Sequence, residues 1–121
     1  MEVFFYRDSN GNEPVADYLR ELQNKTCKDK RINLRKIQDY IKLLELRGTS
    51  LGEPFVKHIE GELWELRPIR NRIFFALVSE NRIILLHHFI KKTNKTPKNE
   101  IAKARRNLND FKRRDRNGKS N

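Results

Sequence analysis

The chain contains very little cysteine and histidine. Among its 121 residues, Cys27 is the one cysteine, and there are three histidines. A single thiol forms no internal disulfide, and these few residues do not match the usual Cys/His spacings of a zinc site. We therefore expect no metal site, no cofactor and a reducing compartment.

Long apolar runs are also missing. Every apolar stretch is far shorter than the roughly 20 residues that a membrane span needs. Glu2–Tyr6, directly after Met1, has neither the length nor the positively charged flank of a signal peptide. With 36% hydrophobic and 36% charged residues, the composition predicts one small globular domain without membrane contact, located in the cytoplasm.

The sequence carries none of the familiar catalytic motifs: a glycine-rich phosphate loop, a nucleophile elbow and a Cys/His pair are all absent. Three carboxylates, Glu60, Glu62 and Glu65, cluster in the sequence. Glu62 and Glu65 are an odd number of residues apart, so in one strand they face opposite sides, which argues against a metal-dependent nuclease centre. Ion pairs with nearby arginines are the favoured interpretation: Arg67, Arg70 or Arg72.

Positive charge is present in excess, and it is concentrated near the C-terminus. The net charge is +11, and from Lys91 onward there are 12 Lys/Arg against 3 Asp/Glu. Dense positive charge releases counterions from a phosphate backbone and speeds encounter with it. We therefore expect contact with nucleic acid or the ribosome, with an acidic protein partner or simple solubility as the alternatives.

The hydrophobic pattern predicts an α+β domain over residues 1–111. Apolar side chains at helical spacing indicate one helix from Pro14, a second between a Thr26–Asp29 capping box and Gly48, and a last helix capped by Thr96. Residues 49–60 are predicted to form a loop, and residues 112–121 a basic, disordered tail. Four strands are predicted: Val3–Tyr6, Leu63–Arg67, Arg72–Val78 and Arg82–Ile90.

Short links between the last three strands predict antiparallel pairing. The last of them is apolar at nearly every position, which predicts cover on both faces. The expected fold is a small antiparallel sheet of about four strands with an N-terminal helical hairpin and a C-terminal helix.

Basic groups and imidazoles near the strand ends suit one kind of phosphate chemistry. RNA is cleaved without a metal when a 2′-hydroxyl attacks its own phosphate, provided that the protein stabilises charge on the phosphorus and assists two proton transfers. His87 and His88 are neighbours, so only one of them can face a given surface of a strand. The sheet region offers these groups: Arg67, Arg70, Arg72, His87, His88, Lys91 and Lys92.

Two parts of the chain resemble a known toxin superfamily: Gly61–Pro68 with Arg72–Phe75, and Leu86–Pro97 with the Glu100–Ala104 segment. They are similar to the phage-derived Gp49-like branch of the RelE/ParE superfamily, which includes the HigB toxins. The resemblance implies a RelE/ParE-like fold and cleavage of translated mRNA on the ribosome, which leaves a 2′,3′-cyclic phosphate. It also implies a HigA-like helix-turn-helix antitoxin, and contact with operator DNA only through the toxin–antitoxin complex.

The resemblance assigns roles to single residues. Arg72 matches an arginine that contacts the scissile phosphate, Lys91 and Lys92 match a basic pair at the end of the last strand, and His88 is the candidate for proton transfer. The candidate catalytic residues are Arg72, His88, Lys92 and Arg67. The candidate RNA- or ribosome-binding residues are Lys91, Lys95, Arg70 and Lys36.

The chain departs from the best-known RelE-type enzymes at the place of the general base. Those enzymes have lysines where this chain has Leu63 and Glu65, and a tyrosine in the final helix region, whereas this chain has no tyrosine after Tyr40. The general acid and base therefore stay open. A gyrase-directed toxin of the ParE type and a non-catalytic nucleic-acid-binding module are the alternative functions.

Overall fold

The computed structural model describes residues 1–24 and 26–118. It has five strands and three helices, which confirms the predicted α+β architecture. Within these residues, no helix is both long and apolar enough to cross a membrane. The elements follow in this order: β1 (Glu2–Phe5), α1 (Pro14–Gln23), α2 (Lys28–Arg47), a short 3-10 helix (Gly48–Leu51), β2 (Val56–Glu60), β3 (Leu63–Leu66), β4 (Asn71–Ser79), β5 (Arg82–Ile90) and α3 (Lys98–Gly118).

The strands form one sheet in the order β1-β5-β4-β3-β2. β3, β4 and β5 pair antiparallel, as predicted. The sheet differs from the expected four antiparallel strands because β1 runs parallel to β5, and because β2 lies where the sequence predicts a loop. β2 is an edge strand in which only Val56 is buried, and a register shift between His58 and Glu60 breaks the two-residue alternation. Its sequence therefore carries no clear strand signal.

Helices cover both faces of the sheet. α1 and α2 pack on one face, here called the α1–α2 face, and α3 packs on the other, the α3 face. In β5, Ile83 and Leu85 join the cluster on the α1–α2 face, while Ile84 and Leu86 join the one on the α3 face. All four side chains are fully buried, so the predicted cover on both faces of this strand is confirmed.

A one-residue bulge in β5 decides which later side chains share a face. The pairing with β4 shifts between Phe74 and Phe75, so Leu86 is an extra residue without a partner of its own. Beyond the bulge, His87 lies opposite Phe74 on the α3 face. His88 consequently lies on the α1–α2 face.

Two helix starts differ from the prediction, and one helix end agrees with it. The N-cap of α2 is Cys27, with no side-chain hydrogen bond, so the predicted Thr26–Asp29 capping box is wrong. Thr96 is not the N-cap of α3, because the helix begins at Lys98 and the carbonyl of Pro97 accepts the N–H of Ile101. Gly48, with φ of 57°, ends α2 in the left-handed region that glycine favours.

α3 is longer than its apolar stripe predicts. The sequence predicts a tail from residue 112, whereas the helix continues to Gly118, and residues 119–121 lie outside the described residues. Asp110 pairs with Arg113 and Arg114 across one helical turn. Pairs at this spacing, together with the good helix propensity of Lys and Arg, favour continuation of the helix.

Candidate functional site

Basic side chains meet in one cavity at the end of β5. The cavity has a volume of about 170 Å³ and is lined by Arg70, Arg72, Lys91, Lys92, Thr93 and Asn94. It forms because the backbone N–H of Lys91 donates to the carbonyl of Arg70 at 2.8 Å, which ties the end of the last strand to the turn before β4. Four of the predicted site residues are therefore brought together: Arg70, Arg72, Lys91 and Lys92.

Arg72 is the fixed charge of this cavity. The residue is 8% exposed, and its Nη1 donates to the carbonyls of Ile69 at 2.9 Å and Asn71 at 2.8 Å. Ile69, in the turn before β4, has a φ of 59°, a conformation that is costly for a β-branched residue. Burial lowers the pKa of Arg72, and repulsion from Arg67 adds to this, while Glu65 opposes it. An arginine nevertheless stays protonated at neutral pH.

Glu65 is the counter-charge of the arginines. It is 1% exposed, and its Oε1 lies 3.5 Å from Nε of Arg67 and 3.9 Å from Nε of Arg72. The ion pairs expected for this carboxylate thus form with Arg67 and Arg72, whereas Arg70 is exposed. Thr96, from the segment that follows β5, donates its hydroxyl to Oε2 of Glu65 at 3.2 Å. The sequence offers no signal for this last contact.

His88 is held on the opposite face of the sheet from Arg72. Its ring stacks on Tyr18 of α1, with the centroids 3.6 Å apart, and its Nε2 lies 3.1 Å from Oδ1 of Asn71. The amide of Asn71 donates to Asn33 and to the carbonyl of Pro68, so its oxygen is the acceptor and His88 is the donor. Burial, with a smaller effect from His87, lowers the pKa of His88 to about 4. The imidazole is therefore neutral at pH 7.

His87 lies on the same face as Arg72. Its Nε2 is 2.6 Å from Oε1 of Glu100, a residue in the first turn of α3, and both side chains are largely buried. Register places Glu65, Phe74 and His87 side by side on three adjacent strands. Arg72 lies two residues from Phe74 on the same strand, and hence on the same face. The His87–Glu100 pair is not apparent from the sequence, because the bulge that turns His87 towards α3 leaves no pattern there.

A second cavity adjoins the first. It has a volume of about 430 Å³ and shares Lys92 and Thr93 with the cavity of Arg72. Glu100 also lines it, so the His87–Glu100 pair reaches this space through its carboxylate. His88 borders it as well, at the part of β5 that extends past the end of β1.

Two predicted binding residues lie apart from these cavities. Lys36 is exposed on α2 and lines a different groove with Lys28, Arg31, Ile32, Arg35 and Asp39. Lys95 is exposed in the segment between β5 and α3, where its carbonyl accepts a hydrogen bond from Thr93. In residues 1–24 and 26–118, no group of three or more His, Cys, Asp or Glu side chains is arranged to hold a metal ion.

This arrangement can bind a phosphate and stabilise charge on it. Arg72 supplies a buried cation that two backbone carbonyls hold in place, and Lys91 and Lys92 add cations from the segment after β5. A preorganised, buried cation stabilises a developing negative charge more strongly than the same group would in water. The geometry therefore suits a phosphodiester.

Comparison with known proteins identifies the family. A search of the curated proteins found no match. The family model described as "Phage derived protein Gp49-like (DUF891)" matches residues 17–109, which include every candidate site residue named above. That family lies within the RelE/ParE-like toxin superfamily, which indicates a toxin module and implies an antitoxin partner. With most of its length matched, the chain belongs to the Gp49-like family of phage-derived proteins.

Proposed function

We propose that this protein is a HigB-type toxin of a type II toxin–antitoxin system, a metal-independent endoribonuclease that cleaves mRNA on the ribosome. The observation that supports this most directly is the cavity in which Arg72, Lys91 and Lys92 converge in a member of a toxin family. A HigA-like antitoxin neutralises it, and operator DNA is reached only through their complex. Its action is cytoplasmic, because its substrate is translated mRNA.

In the proposed reaction Arg72 contacts the scissile phosphate. The 2′-hydroxyl attacks the adjacent phosphorus, the 5′-oxygen leaves with a proton, and a 2′,3′-cyclic phosphate and a 5′-hydroxyl result. Lys92, between the two cavities, balances the charge on the phosphorane, and Arg67 adds to the positive field. Lys91, Arg70 and Lys95 contact flanking phosphates, and Lys36 on α2 contacts ribosomal RNA farther away.

For proton transfer we propose the His87–Glu100 pair instead of His88. The His88 proton is committed to Asn71, and a pKa near 4 makes this imidazole a poor acid and base at neutral pH, because few molecules carry the extra proton and its affinity for one is low. The His87–Glu100 pair lies on the face of Arg72, and its carboxylate, Glu100, lines a cavity that also contains Lys92. Glu100 thus connects the His87 imidazole to this cavity.

The test uses ribosomes programmed with a defined mRNA, purified toxin and primer extension. We expect cuts within translated codons, with 2′,3′-cyclic phosphate ends, and no cuts in the same mRNA without ribosomes. His87→Gln and His88→Gln form a matched pair of variants: the first loses cleavage, and the second keeps it at a pH where it is folded. Intact mRNA together with accumulating cleaved DNA–gyrase complexes would instead establish the ParE-type function. Binding of RNA without either activity would establish a non-catalytic module.

A further inference from the structure

Glu65 is an unusual residue for the interior of a strand. It is the one acidic residue among the buried side chains of the described residues, at 1% exposure, and its neighbours Leu63 and Leu66 are equally buried. Carboxylates are rarely buried unless they are paired, because the loss of hydration is costly. Apolar residues in place of Glu65, Arg67 and Arg72 together would pack without that cost, so stability alone does not account for this charged group.

Arg67 and Arg72 share the carboxylate of Glu65 as their counter-charge. Its distances to Nε of Arg67 and Arg72, 3.5 and 3.9 Å, are too long for hydrogen bonds. Both Nε atoms are buried and have no hydrogen-bond partner among the described residues. One carboxylate thus balances the charge of two guanidinium groups, and it accepts no hydrogen bond from the Nε–H of either. The group of three keeps a net positive charge beside the cavity.

The same carboxylate also holds the segment that carries the lysines. Its second oxygen accepts the hydroxyl of Thr96 at 3.2 Å, and Thr96 lies between Lys92 and the start of α3. Glu65 therefore contacts Arg72, which lines the cavity, and Thr96, which follows the cavity residues Lys91–Asn94 in the chain.

We propose that Glu65 is a positioning residue, which holds Arg67 and Arg72 in register with the basic segment 91–97 for one phosphate. The proposal rests on the proposed function, since it concerns the same cavity. Glu65 does not touch the substrate itself, because it is buried beneath the arginines. Its loss misplaces the cations, and misplacement of a catalytic group by about 1 Å can lower the rate about 100-fold.

The test compares Glu65→Gln with Glu65→Asp, Thr96→Val and the control Glu62→Gln. Glu62 lies three residues away, is exposed and pairs with Lys112 on the far part of α3. In ribosome-dependent cleavage, we expect Glu65→Gln to lower kcat about 100-fold with a smaller change in KM, and Glu65→Asp to recover part of that loss. Thr96→Val raises KM more than it lowers kcat, because it releases the segment and leaves the arginines paired. Glu62→Gln behaves as the wild type.

A readout that does not depend on cleavage separates this proposal from the proposed function. In ¹⁵N NMR spectra, the Nε–H groups of Arg67 and Arg72 should give slowly exchanging signals in the wild type and in Glu62→Gln, because both atoms are buried. These signals exchange fast in Glu65→Gln, because without the counter-charge the two guanidinium groups move out to water. If the wild type does not cleave mRNA, the proposed function fails, and the NMR result still decides the role of Glu65. Wild-type kcat and unchanged arginine signals in Glu65→Gln would overturn the proposal. If Glu65→Gln does not fold, wild-type kinetics in both Glu65→Asp and Thr96→Val would overturn it.

Discussion

The neutral state of His88 makes the stability of this protein depend on pH in a defined window. The pKa of His88 is about 4 in the folded protein, against 6.5 for an unperturbed histidine. Between these values the unfolded chain binds a proton that the folded protein does not, so stability is complete above pH 6.5 and is lost as the pH falls towards 4. A difference of about 2.5 pKa units corresponds to about 3 kcal/mol. This is a large share of the 5–15 kcal/mol that is typical of a domain.

The groups around His88 account for the size of this effect. Tyr18 covers one face of the ring and Asn71 occupies its Nε2, and no carboxylate in residues 1–24 and 26–118 forms a hydrogen bond or ion pair with the imidazole. The aspartates with lowered pKa values, Asp8, Asp17 and Asp110, titrate below 3.8 and so lie outside this window. Loss of stability between pH 6.5 and 4 is therefore assigned mainly to His88.

The assay is urea unfolding followed by circular dichroism at intervals from pH 4 to 7.5, for the wild type and His88→Gln. We expect the variant to be the less stable at pH 7.5, because it loses the stack on Tyr18. The stability advantage of the wild type should shrink by about 3 kcal/mol as the pH falls to 4, since only the wild type has this imidazole to protonate. His58→Gln, on the exposed edge strand, is the control for the loss of a histidine. A pH-independent difference between the wild type and His88→Gln would refute the reasoning.

The other predictions concern the cavity and the end of α3. Arg72→Lys keeps the charge but loses the planar fork, so ribosome-dependent cleavage should fall about 100-fold or more with the fold intact; retained cleavage would remove Arg72 from the site. Lys91→Ala with Lys92→Ala should lower the slope of log Kd for single-stranded RNA against log salt by about 1.4, and an unchanged slope would mean that neither lysine contacts phosphate. Tyr6→Phe deletes the 2.6 Å hydrogen bond to Asp110, which should cost about 1.5 kcal/mol in urea unfolding at pH 7; an unchanged midpoint would contradict this.

The sequence was sufficient to predict elements with strong periodicity. The bounds of β5 agree with the structure, and α1 begins at Pro14 as predicted, because apolar spacing and a helix-starting proline are local signals. The pairing of β1 with β5 and the edge strand β2 depend on contacts between distant segments. Such contacts leave no periodic trace in either segment alone.

The sequence was sufficient to predict which residues form the candidate site, but not on which face of the sheet each side chain lies. Alternation in β5, extrapolated from Ile84 and Leu86, places His88 on the α3 face with Arg72. The bulge at Leu86 reverses that alternation, so His87 takes the place next to α3. A bulge adds one residue to a strand and changes no composition, and pattern reasoning therefore assigns the two histidines to the wrong faces.

The paired histidines also bear on how β5 tolerates a shift of register. Loss of the bulge without a change of length would slip the rest of β5 by one position against β4, so His87 would lie opposite Ile73 and His88 opposite Arg72. Because positions 87 and 88 are both histidine, each face of the sheet would still carry an imidazole after the slip. The repeated residue therefore keeps this chemistry on both faces in either register.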